Sequence, residues 1–217
     1  MLILNDVISD SEIIDFKQYF NDNFSEKYLN WSVNDNTIDH RLLVDENSPQ
    51  FEIIRRIVSK NFVNPTTMWA AYQRQSRPHN IHIDDYGAKL TDQFRYTYIL
   101  AMDSVPEFKA IVWKETCWDN DKLHEFVTNW GRLKKFKKPA SNISEIEDLE
   151  HTYDANQEAY MADYLTLDRI YTYQTGTACL FDATQLHCTS NWIKYNKFPH
   201  RELLQIHVTT AEPVDLS

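Results

Sequence analysis

Apolar positions follow helical spacing near the N-terminus and strand spacing from the late sixties onward. Ser9-Asp-Ser-Glu12 has the form of a capping box, and Ile13, Ile14, Phe16, Tyr19 and Phe20 recur behind it as one stripe of an amphipathic helix. Residues 49–60 repeat the pattern with Phe51, Ile53, Ile54, Ile57 and Val58. From Met68 the chain turns to short aromatic and β-branched runs at 68–75, 80–84, 94–102, 109–114, 171–175, 177–182 and 201–209. Many short strands separated by turn residues predict a mainly β jelly roll, with the two helices covering its outer sheet. Only three glycines occur, and two of them sit where turns are needed. Gly87 follows 80–84, and Gly176 splits Tyr171–Gln174 from Ala178–Phe181, as a tight hairpin would.

One stretch breaks this grammar. Between 114 and 165 a basic run (Arg132, Lys134, Lys135, Lys137, Lys138) precedes an acidic one from Glu145 to Glu158. The segment far exceeds ordinary loop length. Such charge blocks predict solvated, mostly helical structure, and the segment as a whole reads as a lid or substrate-recognition element. The expected organisation is a single domain over 1–217. In it, 1–66 is helical support, 67–113 and 166–210 are the jelly-roll core, and 114–165 is the insertion.

Composition narrows the function classes. A 217-residue chain with 42% hydrophobic and 25% charged residues suits one well-buried core. A net charge of −10 counts against broad contact with nucleic acid or anionic membranes. Cys117, Cys179 and Cys188 are odd in number and form no Cys-x-x-Cys pair, so neither a disulfide framework nor a zinc knuckle is expected. The N-terminus lacks a signal-peptide pattern, and no run approaches the ~20 apolar residues of a membrane span. A soluble, cytoplasmic protein is the expectation.

The candidate chemistry lies in four residues. His82 and Asp84 stand in Asn80-Ile-His-Ile-Asp84, read as a strand end, and alternate residues of a strand share a face with Cα atoms about 6.5–7 Å apart. One imidazole and one carboxylate can thus converge on a metal ion. His187, just past the apolar run ending at Phe181-Asp182, offers a third ligand. Two histidines and one carboxylate leave three coordination positions open, the ligand set of non-haem Fe(II) oxygenases. Arg201, fourteen residues beyond His187, opens a strand whose alternation puts Arg201, Leu203 and Gln205 on one face. Leu204, Ile206 and Val208 fall on the other, against the helices. A guanidinium on the inner face suits the remote carboxylate of a dicarboxylic co-substrate.

The order His-x-Asp, distal His, then Arg on the last core strand resembles the Fe(II)/2-oxoglutarate-dependent dioxygenases, nearest their prolyl-hydroxylase-like branch. The resemblance runs from about Met68 to Thr209 and is interrupted by the 114–165 segment. It implies a double-stranded β-helix holding Fe(II) through His82, Asp84 and His187, with 2-oxoglutarate and O2 as co-substrates. The implied reaction hydroxylates a C–H bond of a protein, peptide or small molecule and releases succinate and CO2. Many relatives carry Ser or Thr two residues after the Arg, where this chain has Leu203. Tyr98 and Tyr72 are the expected polar assistants to Arg201. A nucleic-acid demethylase would carry a second arginine six residues after the first, where His207 stands. The alternatives are a non-catalytic jelly-roll binding module, or a cupin-like metalloenzyme that does not use 2-oxoglutarate. A buried Arg201 facing the metal separates the cupin-like case from the dioxygenase.

Overall fold

In the computed structural model, the described residues are 1–24, 30–31, 39–76, 78–79, 82–84, 93–116, 165–190, 192, 197 and 199–216. The sequence features at Gly87 and Cys117, and 117–164 of the expected insertion, lie outside them. Helix α1 spans Asp10–Asn23 and starts as its sequence dictates: Ser9 accepts from the Glu12 amide, and the Glu12 carboxylate accepts from the Ser9 amide. Helix α2, Pro49–Ser59, is capped by Ser48 and has proline in its first turn, where a missing amide hydrogen costs nothing.

The strands are β1 (Leu2–Leu4), β2 (Asn30–Trp31), β3 (Asp39–Leu43), β4 (Thr67–Gln75), β5 (Phe94–Ala101), β6 (Lys109–Thr116), β7 (Leu167–Thr172), β8 (Ala178–Asp182), β9 (Gln185–Thr189) and β10 (Arg201–Thr210). They form a seven-stranded sheet, order β1-β8-β5-β10-β4-β3-β2, and a three-stranded sheet, order β7-β6-β9. The pairings are antiparallel. No described helix is long and apolar enough to cross a membrane.

Two apolar layers hold the architecture. On the outer face of the large sheet, Leu204, Ile206, Val208, Tyr72 and Tyr98 pack with Phe16 and Phe20 of α1 and Ile54 and Ile57 of α2. Between the sheets, Leu203, Ile99, Cys179 and Phe181 meet Ala110, Val112 and Tyr171. Alternation along β10 therefore sends Leu204, Ile206 and Val208 to the helices and Leu203 inward, as the sequence requires.

Three local expectations are corrected. Gly176 does turn the chain, at φ 81°, a conformation that residues with a Cβ resist. It does not close a hairpin: β7 pairs with β6 in the small sheet, and β8 pairs with β5 and β1 in the large one. The turn is a crossover between sheets, held by Val7 donating to the Gly176 carbonyl at 2.9 Å. Of the run 80–84, the described residues 82–84 show an isolated bridge at His82 in place of a strand. Strand β6 also continues to Thr116, past the 114 expected as the start of the insertion. There Lys114 donates to the Thr166 carbonyl, and the Glu115 carboxylate accepts from the Thr166 amide.

Candidate metal centre

His187 follows the apolar strand β8, as the sequence suggested, and lies within β9, 3% exposed. Residues 79 and 82–84 lie along the outer edge of β9. His82 and His187 exchange both backbone hydrogen bonds, 2.9 and 3.0 Å, and the Asp84 amide donates to the Ala183 carbonyl at 3.0 Å. Directly opposed residues of an antiparallel pair share a face. That is why the two imidazoles meet, with ring centroids 4.2 Å apart.

The Asp84 carboxylate stands between them. Its Oδ2 lies 3.4 Å from His187 Nε2, and its Oδ1 lies 3.7 Å from His82 Nε2. One ligand atom from each of the three residues falls within 4.8 Å of the others. The His187 Nδ1 stands 2.9 Å from the Gln185 carbonyl, which can only accept. A neutral ring would therefore carry its proton on Nδ1 and could turn its Nε2 lone pair to a metal at the centre. Burial would raise the Asp84 carboxyl, but the facing His187, with His207 and His82 beyond it, holds it well below the usual carboxylate range. Gln205 Nε2 donates to Asp84 Oδ2 at 3.0 Å and orients it from behind. His79 does not join this cluster; its ring stands edge-on to that of His82, centroids 5.7 Å apart. Cys188 is fully buried.

Arg201 is 2% exposed at the start of β10, on the face that also carries Leu203 and Gln205. About four residues of strand, or roughly 13 Å, separate it from Gln205. Its Nε donates to Gln75 Oε1 at 2.6 Å, its Nη1 donates to the Tyr173 hydroxyl at 3.1 Å, and its guanidinium lies 5.4 Å from the centre of the Tyr173 ring. Burial pushes the Tyr173 phenol up to about 12 although Arg201 opposes the shift, so at neutral pH the hydroxyl keeps its proton.

The two tyrosines expected beside Arg201 are elsewhere. Tyr72 pairs with Leu204 and Tyr98 with Ile206, so both face the helices. The Tyr72 hydroxyl donates to Glu202 at 2.8 Å, and the Tyr98 hydroxyl accepts from Asn61 at 3.1 Å. Strand parity excludes them from the Arg201 face. Tyr173 and Gln75 stand there instead. The sequence reading missed Gln75, though its alternation with Gln73 along β4 was a signal that could have found it. Tyr173 gave no such signal, because it follows β7 in the crossover.

His207 stacks on Trp69, centroids 3.9 Å apart, and its Nε2 is buried with no hydrogen-bond partner. Burial draws its pKa down to about 4, against the pull of Asp84.

No family model matches the sequence, and no curated protein matches it. Solved structures do resemble the fold. The non-heme alpha-ketoglutarate-dependent carbocyclase SnoK from nogalamycin biosynthesis matches with TM-score 0.53 and 12% identity, over 96% of this chain and 78% of that one. The chain has the fold of the non-haem iron, 2-oxoglutarate-dependent oxygenases. The epimerase SnoN in complex with Fe3+, alpha ketoglutarate and nogalamycin RO matches with TM-score 0.51 and 10% identity, over 96% and 78%. A prolyl-4-hydroxylase from Pseudomonas putida matches with TM-score 0.51 and 7% identity, over 98% and 92%. Cyclisation, epimerisation and hydroxylation share this scaffold, so the fold does not by itself select the prolyl-hydroxylase-like branch.

Proposed function

We propose that this chain is an Fe(II)- and 2-oxoglutarate-dependent oxygenase that hydroxylates a C–H bond of a protein, peptide or small-molecule substrate. The observation that carries the reading is the presence of a His-Asp-His cluster together with a buried arginine in this fold. His82 Nε2, Asp84 and His187 Nε2 would hold the metal, as a facial set that leaves positions for co-substrate and O2. The donor chemistry fits: one anionic oxygen and two imidazole nitrogens converge, and the His187 Nδ1–H is already donated to the Gln185 carbonyl. With iron and 2-oxoglutarate bound, O2 is reduced, 2-oxoglutarate becomes succinate and CO2, and one oxygen atom goes to the substrate carbon.

The protein's own part is placement and exclusion of water. Arg201 would take the far carboxylate of 2-oxoglutarate. The Tyr173 hydroxyl accepts from Arg201 and has its own proton to donate to the same carboxylate. Phe181 packs against His187, centroids 4.7 Å apart, and shields the ligand ring. The buried Arg201 favours this reading over a cupin-like enzyme without 2-oxoglutarate.

The 114–165 segment would select the substrate, with prolyl or another amino-acid side chain as the leading class. Its roots support this. Thr116 pairs with Gln185, whose carbonyl holds His187, so the segment leaves the sheet beside the metal cluster.

Anaerobic titration of Fe(II) and then 2-oxoglutarate tests the reading. The expected result is a weak visible charge-transfer band of the chelate, lost in His187→Ala and Asp84→Ala. Its absence from the wild-type protein at saturating iron and 2-oxoglutarate refutes the proposal.

A further inference from the structure

An unbroken line of amide side chains runs from Arg201 to Asp84. Arg201 donates through Nε and Nη2 to Gln75 Oε1. Gln75 Nε2 donates to Gln73 Oε1 at 2.6 Å, Gln73 Nε2 to Gln205 Oε1, and Gln205 Nε2 to Asp84 Oδ2 at 3.0 Å. The line zigzags between β4 and β10. Arg201 is opposite Gln75, Gln73 is two residues back on the same face of β4, and Gln205 is diagonal to it.

The two ends fix its direction. A guanidinium can only donate and an ionised carboxylate can only accept. Turning any one amide over would set N–H against N–H on one side and oxygen against oxygen on the other. All three amide dipoles therefore point the same way, from the cation to the anion. Gln75 is 3% and Gln73 6% exposed, so water is a poor substitute for either bond. Packing alone does not ask for this arrangement. The same inner face carries Ile99, Ala101 and Cys179 on β5 and β8, and apolar residues there need no partners.

We propose that Gln75, Gln73 and Gln205 are positioning residues that couple the anion site at Arg201 to the metal cluster. The inference rests on the roles proposed above for Arg201 and the His-Asp-His set. A metal ion on Asp84 draws charge away from Oδ2 and weakens its pull on the Gln205 amide. Hydrogen bonds in a chain polarise one another, so the change passes through Gln73 and Gln75 and loosens the hold of Gln75 on Arg201. The guanidinium is then more available to a carboxylate. By linkage, a carboxylate on Arg201 strengthens metal binding by the same factor.

The test uses the full chain labelled with 15N, and Zn(II) as a diamagnetic probe without 2-oxoglutarate. The Arg201 Nε–H signal is identified by its loss in Arg201→Lys. Zinc is expected to move the ring signals of His82 and His187, and also to shift the Arg201 Nε–H signal. In Gln73→Met, which cuts the middle of the line, zinc should still move the histidines while the Arg201 shift is lost. Should Gln73→Met fail to fold, Gln73→Glu keeps the acceptor for Gln75 and removes the donor to Gln205. Histidine shifts without an Arg201 shift in the wild-type protein would overturn the relay and leave the metal site standing. An Arg201 shift that survives unchanged in the cut variant overturns it as well. If zinc moves neither histidine, the metal reading falls and the relay with it.

Discussion

Replacing Tyr173 by Phe removes one oxygen from beside Arg201 and leaves the ring that the guanidinium covers. The hydroxyl is fully buried, keeps its proton at neutral pH, and already accepts from Arg201 at 3.1 Å. Its remaining capacity is one O–H, pointed by the arginine that would hold the co-substrate's far carboxylate. A hydrogen bond to a charged group is worth about 1.5–3 kcal/mol, so Tyr173→Phe should weaken 2-oxoglutarate binding roughly 10- to 150-fold. Iron binding should be little affected. Arg201→Ala removes the cation itself and should cost about 2–5 kcal/mol. Tyr98→Phe and Tyr72→Phe change hydroxyls on the helix side and should leave 2-oxoglutarate affinity within about twofold, since sites without shared partners act independently. Anaerobic titration of the iron-loaded variants, followed by the visible band, measures all four. Equal weakening by Tyr98→Phe and Tyr173→Phe would sink the assignment of faces. An unchanged affinity in Arg201→Ala would sink the co-substrate site altogether.

The remaining predictions concern stability, pH and the insertion. Gly176→Ala forces a Cβ into a positive-φ position and to 3.4 Å from the Ile8 carbonyl, which should cost about 1–2 kcal/mol and lower Tm by roughly 2–8 °C. A thermal melt with no loss of Tm would show that the crossover relaxes freely. His207 has a folded pKa near 4, below its ordinary 6.5, so in that window the unfolded chain takes up its proton first. The metal-free protein should therefore lose about 2 kcal/mol between pH 7 and pH 5 on this account, and His207→Gln should remove that part of the slope in urea unfolding. Identical slopes in the two proteins would place the histidine's proton elsewhere. A chain joining Thr116 to Leu165 by a short turn should bind iron and 2-oxoglutarate yet lose substrate-coupled turnover, with slow succinate formation persisting. Unfolding of that chain would make the segment part of the core, and undiminished coupled turnover would make it a bystander.

The sequence alone determined whatever depends on near neighbours. Capping at Ser9, the apolar stripes of both helices and the alternation of β10 are local periodicities, and local sterics and burial enforce them. The same logic put Leu203 inward and Leu204, Ile206 and Val208 against the helices. His82, Asp84, His187 and Arg201 could be singled out because their residue types and order carry the chemistry. Parity and pairing were decided in three dimensions. No periodicity tells which face of β4 or β5 meets the arginine until register with β10 is set, and register sent Tyr72 and Tyr98 to the helices. The Gly176 turn looked like a hairpin because a turn signal does not reveal which sheet its second strand joins. Among the described residues, His82 and Asp84 reach His187 through one bridge to the edge of β9. The line of glutamines is the plainest case. Gln205 on β10 lies more than a hundred residues from Gln73 and Gln75 on β4, and only antiparallel pairing places their amides end to end.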